Sequence, residues 1–206
     1  MMKDIIPNNI IQIFLGEQDV IDDFPTFKHN RLLWIDYAKK YGFNYIFIDK
    51  FNIKEYLGDH ADFYYDMRYT WNRIDFARYL VLNKIGGIYC DLDLVPNDEM
   101  NLMDLCDETI ILNKWFDPKK NKYELNNALM GIRPDYFTSL IKYSIDEYKK
   151  RSDNLTYKCW KMRFMMHTTG TRMFKRWCIQ KKYRYTDSIH NYITDQQYCS
   201  WVKGFH

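Results

Sequence analysis

Apolar positions along the chain follow two rhythms, one of strands and one of helices. Residues 10–15 form a short apolar run closed by Gly16, and residues 43–48 form a second run rich in aromatic and β-branched side chains. Both predict buried strands. Between them, residues 27–40 set Leu32, Leu33, Ile35 and Tyr37 among basic and polar positions, with Gly42 just past the end as a helix stop. From 71 to 85, Ile74, Ala77, Val81 and Ile85 recur at helical spacing while Phe76, Tyr79, Leu80 and Leu82 fill the flanks. A helix apolar nearly all round is expected to be buried. Arg73, Asp75 and Arg78 within it are then costly unless they pair or serve a site. Gly86-Gly87 turns the chain into the short strand 88–90, which delivers Asp91 and Asp93 at its C-terminal end, the edge where α/β sheets place ligands. Residues 109–112 and 128–132 predict strands. Residues 135–150 predict a helix with Phe137, Leu140, Ile141, Ile145 and Tyr148 as its apolar side. The fold class is α/β. Beyond Tyr157 the chain is aromatic and basic with weak periodicity.

Length and composition narrow this reading to one folded unit. The 206 residues suit a single domain, 1–206, with a basic, aromatic C-terminal part from 149 to 206. An aromatic fraction of 18%, with 18 Tyr, 13 Phe and 6 Trp, excludes a disordered chain. The five cysteines are odd in number, widely spread and without a CxxC pair, so reduced thiols in the cytoplasm are expected rather than a disulfide framework or a zinc site. Neither a signal peptide nor a membrane span is visible. The net charge of +3 hides an asymmetry: residues 149–184 hold 12 Lys and Arg against the single acid Asp153. A solvated helix face explains such a run. So does an anionic partner, whether a diphosphate, a phosphorylated acceptor or a membrane surface met peripherally.

Alternation along a strand would send Asp91 and Asp93 to one side, where two carboxylates suit a hard cation such as Mn²⁺ or Mg²⁺ bridging a nucleotide diphosphate. An isolated Asp-x-Asp is weak support, because it occurs often by chance. The run from Arg73 to Asp93, with Asp-x-x-Arg on a helix and then Gly-Gly-x-Tyr-x-Asp-x-Asp, closely resembles the signature of glycosyltransferase family 32, the DXD sugar transferases. It also resembles the catalytic domain of the large clostridial glucosylating toxins. Residues 6–16, 127–131 and 168–171 are similar to further family segments, with Ile11, Phe14 and Thr171 standing where His, Trp and Pro are usual.

The resemblance implies a GT-A type, Rossmann-like domain with a central, mostly parallel sheet flanked by helices. It implies a retaining, metal-dependent hexosyltransferase that uses a UDP- or GDP-sugar donor and a glycan, protein or lipid acceptor. Residue by residue, it implies that Phe14 stacks on the donor base, Asp75 and Arg78 face the donor, and Asn127 belongs to the donor-binding strand. Asp91 contacts ribose and reaches the metal through water; Asp93 coordinates the metal directly. Ser200 is a further metal ligand with His190 as its rival, and Trp201 closes over the donor. Three other readings stand beside it: a non-catalytic sugar-nucleotide binder, a nucleic-acid binder using Tyr157, Trp160 and Trp177, and a haloacid-dehalogenase-like phosphatase with Asp91 as nucleophile. The phosphatase lacks its later acidic pair, and the intact Asp75, Arg78, Asp91 and Asp93 disfavour nucleic acid as the partner.

Overall fold

The computed structural model describes residues 5–16, 21–117, 121–154, 161–184, 186 and 188–195. Strands are β1 (Asn9–Phe14), β2 (Asn44–Asp49), β3 (Gly87–Cys90), β4 (Leu94–Pro96), β5 (Ile110–Asp117), β6 (Lys122–Ile132) and β7 (Ile193–Asp195). Helices are α1 (Pro25–Tyr41), α2 (Lys54–Leu57), α3 (Ala61–Tyr65), α4 (Thr70–Ile85), α5 (Thr138–Ser152), α6 (Lys161–Thr168) and α7 (Thr171–Gln180). The main sheet has the order β2-β1-β3-β6-β5, and β4 pairs with β7 in a separate ribbon. β1 is parallel to β2 and β3, β6 is antiparallel to β3, and β5 is antiparallel to β6. Four of the five strands therefore share one direction, and β6 alone is reversed. The expected mixed α/β architecture with a mostly parallel sheet is the one observed.

Strand alternation sorts the sheet residues into two cores. Ile11, Ile13, Tyr89, Leu112, Met130 and Ile132 face α4, α5, α6 and α7. Ile10, Ile88, Cys90, Ile111 and Leu129 face α1, through Trp34, Tyr37 and Ala38. A sheet buried on both faces reads in sequence as continuous apolar runs, as observed for β1 and β3.

Local signals explain the ends of the elements that carry the site. α1 starts with Pro25 in its first turn and ends at Gly42, whose φ of 76° lets its N–H bond Ala38 O. α4 ends at Gly86, whose N–H bonds Leu82 O. Gly87 then takes φ 117°, and a Cβ there would lie 2.6 Å from Asn9 Cβ. Only glycine lets α4 turn into β3 this close to β1.

The basic tail holds more order than its periodicity suggests. α6 and α7 bury Phe164, Met173, Phe174, Trp177 and Cys178 against α4 and α5, with the cations on the outer side. Trp177 is in the core, so its ring has no face free to stack on a nucleobase; Tyr157 and Trp160 lie outside the described residues. Cys90, Cys106 and Cys178 are buried thiols. Among the described residues no helix is long and apolar enough to cross a membrane.

Candidate active site

Asp75 and Arg78 share one face of α4 at i and i+3, with Arg78 Nη2 3.3 Å from Asp75 Oδ1. The same guanidinium reaches Asp91, Nη1 lying 3.2 Å from Oδ1, and donates to Asn127 O at 2.9 Å. Its carbon stands 4.7 Å from the centre of the Tyr89 ring, whose hydroxyl donates to Asp91 Oδ1. Arg78 is 6% exposed, so the charge that seemed expensive within an apolar helix is offset by two carboxylates and an aromatic face.

The carboxylate pair is presented by a turn, not by the strand alternation expected from sequence. β3 ends at Cys90, and although Asp91 N still bonds Ala128 O at 2.8 Å, Leu94 N then bonds Asp91 O at 3.1 Å. The backbone thus folds between Asp91 and Leu94, and this turn carries both acids to one side. α1 holds it from below. Asn30 Nδ2 donates to Leu92 O and Trp34 Nε1 to Leu94 O, each at 2.8 Å.

Crowding of negative charge is the dominant electrostatic feature. Burial raises the Asp93 carboxyl to about 7, with Asp91 and Asp195 adding repulsion. Burial raises Asp91 as well, against the opposing pull of Arg78 and of the Tyr89 hydroxyl. Asp75 is raised by burial and by Asp91, and held down by Arg78, Asn127 and Thr169. Burial works against the Arg78 cation, yet Asp91, Tyr89 and Asp75 outweigh it and leave the guanidinium raised.

Phe14 ends β1 on the same sheet edge as Asp91. Its ring lies 5.5 Å from Phe24 and packs in a small apolar cluster with Leu92, Phe27 and Phe47. With Phe47, Arg31, Asp49 and Lys50 it lines a shallow open pocket. Ser200 and Trp201 lie outside the described residues. His190 is exposed on a turn at Ile189–Asn191 that leads into β7.

Residues 3–116 match the glycosyltransferase sugar-binding region containing the DXD motif, over more than half of the chain. The chain belongs to this DXD glycosyltransferase family. An uncharacterised glycosyltransferase of Acanthamoeba polyphaga mimivirus is 28% identical over 183 residues, spanning 83% of this chain and 64% of the relative. The chain thus covers somewhat less than two thirds of that relative's length. The PaToxG glycosyltransferase superposes with a TM-score of 0.51 at 16% identity, over 86% of this chain and 70% of that one. A looser superposition, TM-score 0.46 at 10% identity over 90% and 66% of the two chains, is with the catalytic domain of alpha-toxin from Clostridium novyi. At 16% identity the first of these superpositions speaks for the fold alone.

The DXD carboxylates fit a divalent cation by their chemistry. Asp93 offers hard oxygens in a half-buried position where two neighbouring acids already disfavour its charge, the imbalance that a bound cation removes. Among the described residues no three His, Cys, Asp or Glu side chains converge to hold an ion by themselves, and His190 joins no such group.

Sequence reasoning missed several residues of this site. Asp195 stands opposite Leu94 in the β4–β7 ladder, and its charge acts on Asp93. Tyr89, a member of the motif given no role from sequence, and Asn30 and Trp34, outside it, orient the acids. Asn127 was found by resemblance, and the structure supplies its physical reason. The β5–β6 register jumps from Leu112↔Met130 to Asn113↔Asn126, leaving Asn127, Ala128 and Leu129 unmatched on β5. Such an irregularity re-aims a side chain. Asn127 Nδ2 accordingly reaches Asp75 Oδ1 at 3.1 Å.

Proposed function

We propose that this chain transfers a hexose from a UDP- or GDP-linked sugar to a glycan, protein or lipid acceptor, with retention of anomeric configuration and dependence on Mn²⁺ or Mg²⁺. The observation that carries the reading is the cluster of Asp75, Arg78 and Asp91, bound through one guanidinium and set beside Asp93 at the C-terminal edge of the sheet. In this reading Asp93, helped by Asp91, faces the diphosphate end. Asp75 faces the sugar, since its Oδ2, which accepts from Thr169 alone, keeps a lone pair to accept from a sugar hydroxyl. Arg78 fixes the two acids relative to each other and presents positive charge to the same space. Phe14 offers an aromatic face on which the base stacks. A bound divalent cation would offset charge developing on the leaving diphosphate. Front-face attack, in which the departing phosphate takes the acceptor's proton, requires no carboxylate nucleophile of the kind a double-displacement route needs.

The test is a panel of nucleotide-sugars assayed for donor hydrolysis and thermal stabilisation with and without Mn²⁺. One donor class should stabilise the fold only when metal is present, and Asp93→Asn should abolish that effect. Indifference to every donor, in either condition, would overturn the reading.

A further inference from the structure

We infer that the turn joining α6 to α7 is a positioning clamp for Asp75: Thr169, braced by Asn72, and Thr171, acting through Asn127, set the sugar end of the donor site. The inference rests on the reading above that Asp75 faces the donor sugar.

The hydrogen bonds around Asp75 form a chain with a fixed direction. Asn72 is fully buried on α4, and its Nδ2 donates to Thr168 Oγ1 at 3.0 Å and to Thr169 Oγ1 at 2.8 Å. Thr168 sends its own proton to Phe164 O at 2.8 Å. The Thr169 hydroxyl, already accepting from Asn72, points its only proton at Asp75 Oδ2, 3.3 Å away. On the other oxygen, Asn127 Nδ2 donates to Asp75 Oδ1, while Thr171 Oγ1 donates to Asn127 Oδ1 at 2.9 Å. That last bond fixes which way the Asn127 amide faces. Tyr79 closes the ring, accepting from Asn127 Nδ2 at 3.0 Å and donating to Thr169 O at 2.7 Å. Gly170 brings backbone against the same carboxylate, since a Cβ there would lie 3.1 Å from Asp75 Oδ2.

Packing does not call for this polar set. α6 and α7 already bury Phe164, Met173, Phe174 and Trp177, and apolar contacts could have completed the junction. Instead Asn72, Thr168, Thr169 and Tyr79 are fully buried and Asn127 nearly so. Two chains of donors, one through Thr169 and one through Asn127, end on the two oxygens of Asp75. Three segments distant in sequence thereby fix where the remaining lone pair of Oδ2 points. A carboxylate oriented in advance binds sugar hydroxyls without reorganisation. None of these bonds reaches Asp93, so the clamp acts on the sugar and not on the diphosphate.

The experiment compares wild type with Thr169→Val, Thr169→Ser and Thr171→Val, using the donor identified by the panel. It measures kcat and KM for donor hydrolysis, and the Kd of the matching nucleoside diphosphate in Mn²⁺. Thr169→Val keeps the side-chain shape without the proton donor. It should lower kcat about 10- to 100-fold, the loss expected for one hydrogen bond to a charged group. The nucleoside diphosphate Kd should stay within about twofold, and Thr169→Ser should restore most of the rate. Thr171→Val, at a half-buried position, should show the same split and serves as the test if Thr169→Val fails to fold. Wild-type kcat in a folded valine variant, parallel loss of nucleotide and donor affinity, or no rescue by serine would each overturn the clamp alone. A wild type that binds no donor would overturn the sugar-transfer reading and the clamp with it.

Discussion

Asp195 stands directly opposite Leu94 across the β4–β7 ladder, which brings the charge of a third carboxylate to bear on Asp93 even though about a hundred residues separate them in the chain. Its charge raises both Asp91 and Asp93. Asp195→Asn is expected to weaken Mn²⁺ binding about 10-fold, the effect usual for a group that acts on a metal ligand from outside the coordination sphere. Isothermal titration with Mn²⁺ measures this directly, and an unchanged affinity would exclude Asp195 from the metal's surroundings.

Asp93 makes the metal-free protein sensitive to pH. Its folded carboxyl titrates near 7, above the ordinary 3.8. The folded state therefore holds its proton more tightly than the unfolded chain. The resulting stability is complete below about 3.8 and lost as pH rises through 7. Asp93→Asn carries no such loss. In EDTA the variant should match wild type at pH 4 and exceed it at pH 8 by about 1 to 2 kcal/mol after solvent screening, or ~4 °C in Tm. Equal melting temperatures at pH 8 would contradict the crowding of acids at this position.

Removal of Arg78 leaves Asp75 and Asp91 buried without their shared cation. Arg78→Met should cost about 3 to 5 kcal/mol, or ~10 °C in Tm, because an unpaired buried charge is worse than none. Adding Asp75→Asn should recover part of that loss, and strict additivity of the two changes by thermal denaturation would show that the pair does not interact.

His167 gives stability an acidic limit elsewhere in the molecule. Burial and the cations of Arg176, Arg172, Arg151 and Arg163 lower it to about 4, and its ring nitrogens lie 3.1 Å from Arg172 Nη1 and Arg176 Nη1. A base with a lowered folded pKa contributes stability that is present above its ordinary 6.5 and lost as pH falls towards 4. His167→Asn should flatten the fall in Tm between pH 6.5 and 4, which a series of melts across that window would reveal.

Much of the fold was legible because its signals are local. The apolar runs of β1 and β2, the all-round apolar α4 and the Gly86-Gly87 turn each declare themselves within a few residues. β4 and β7 have three residues each, too few for a rhythm. α7 escaped because Lys and Arg crowd its outer side, although its buried Met173, Phe174, Trp177 and Cys178 follow helical spacing. In the site, Asp75, Arg78, Asp91 and Asp93 were readable as one contiguous pattern. Asp195 was not, because a lone acid in a tail acquires its place only from the register with Leu94. The tyrosine of the motif was visible but had no role in the sequence, whereas in the structure its hydroxyl and ring serve Asp91 and Arg78.

The reversal of β6 has a kinetic consequence. Asp75, Arg78, Asp91 and Asp93 emerge early in the chain, but Asn127, Thr169 and Asp195 follow at separations of about 35 to 100 residues, Asn127 only with the insertion of β6 beside β3 and the other two later still. Contacts of such long range form late, because loop closure precedes their reward. An N-terminal fragment ending before β6 would carry every acid of the signature, with Arg78 and Tyr89 beside them, but would lack Asn127, Thr169 and Asp195. Affinity for donor should then emerge in a refolding time course only after the helices and the parallel strands have formed.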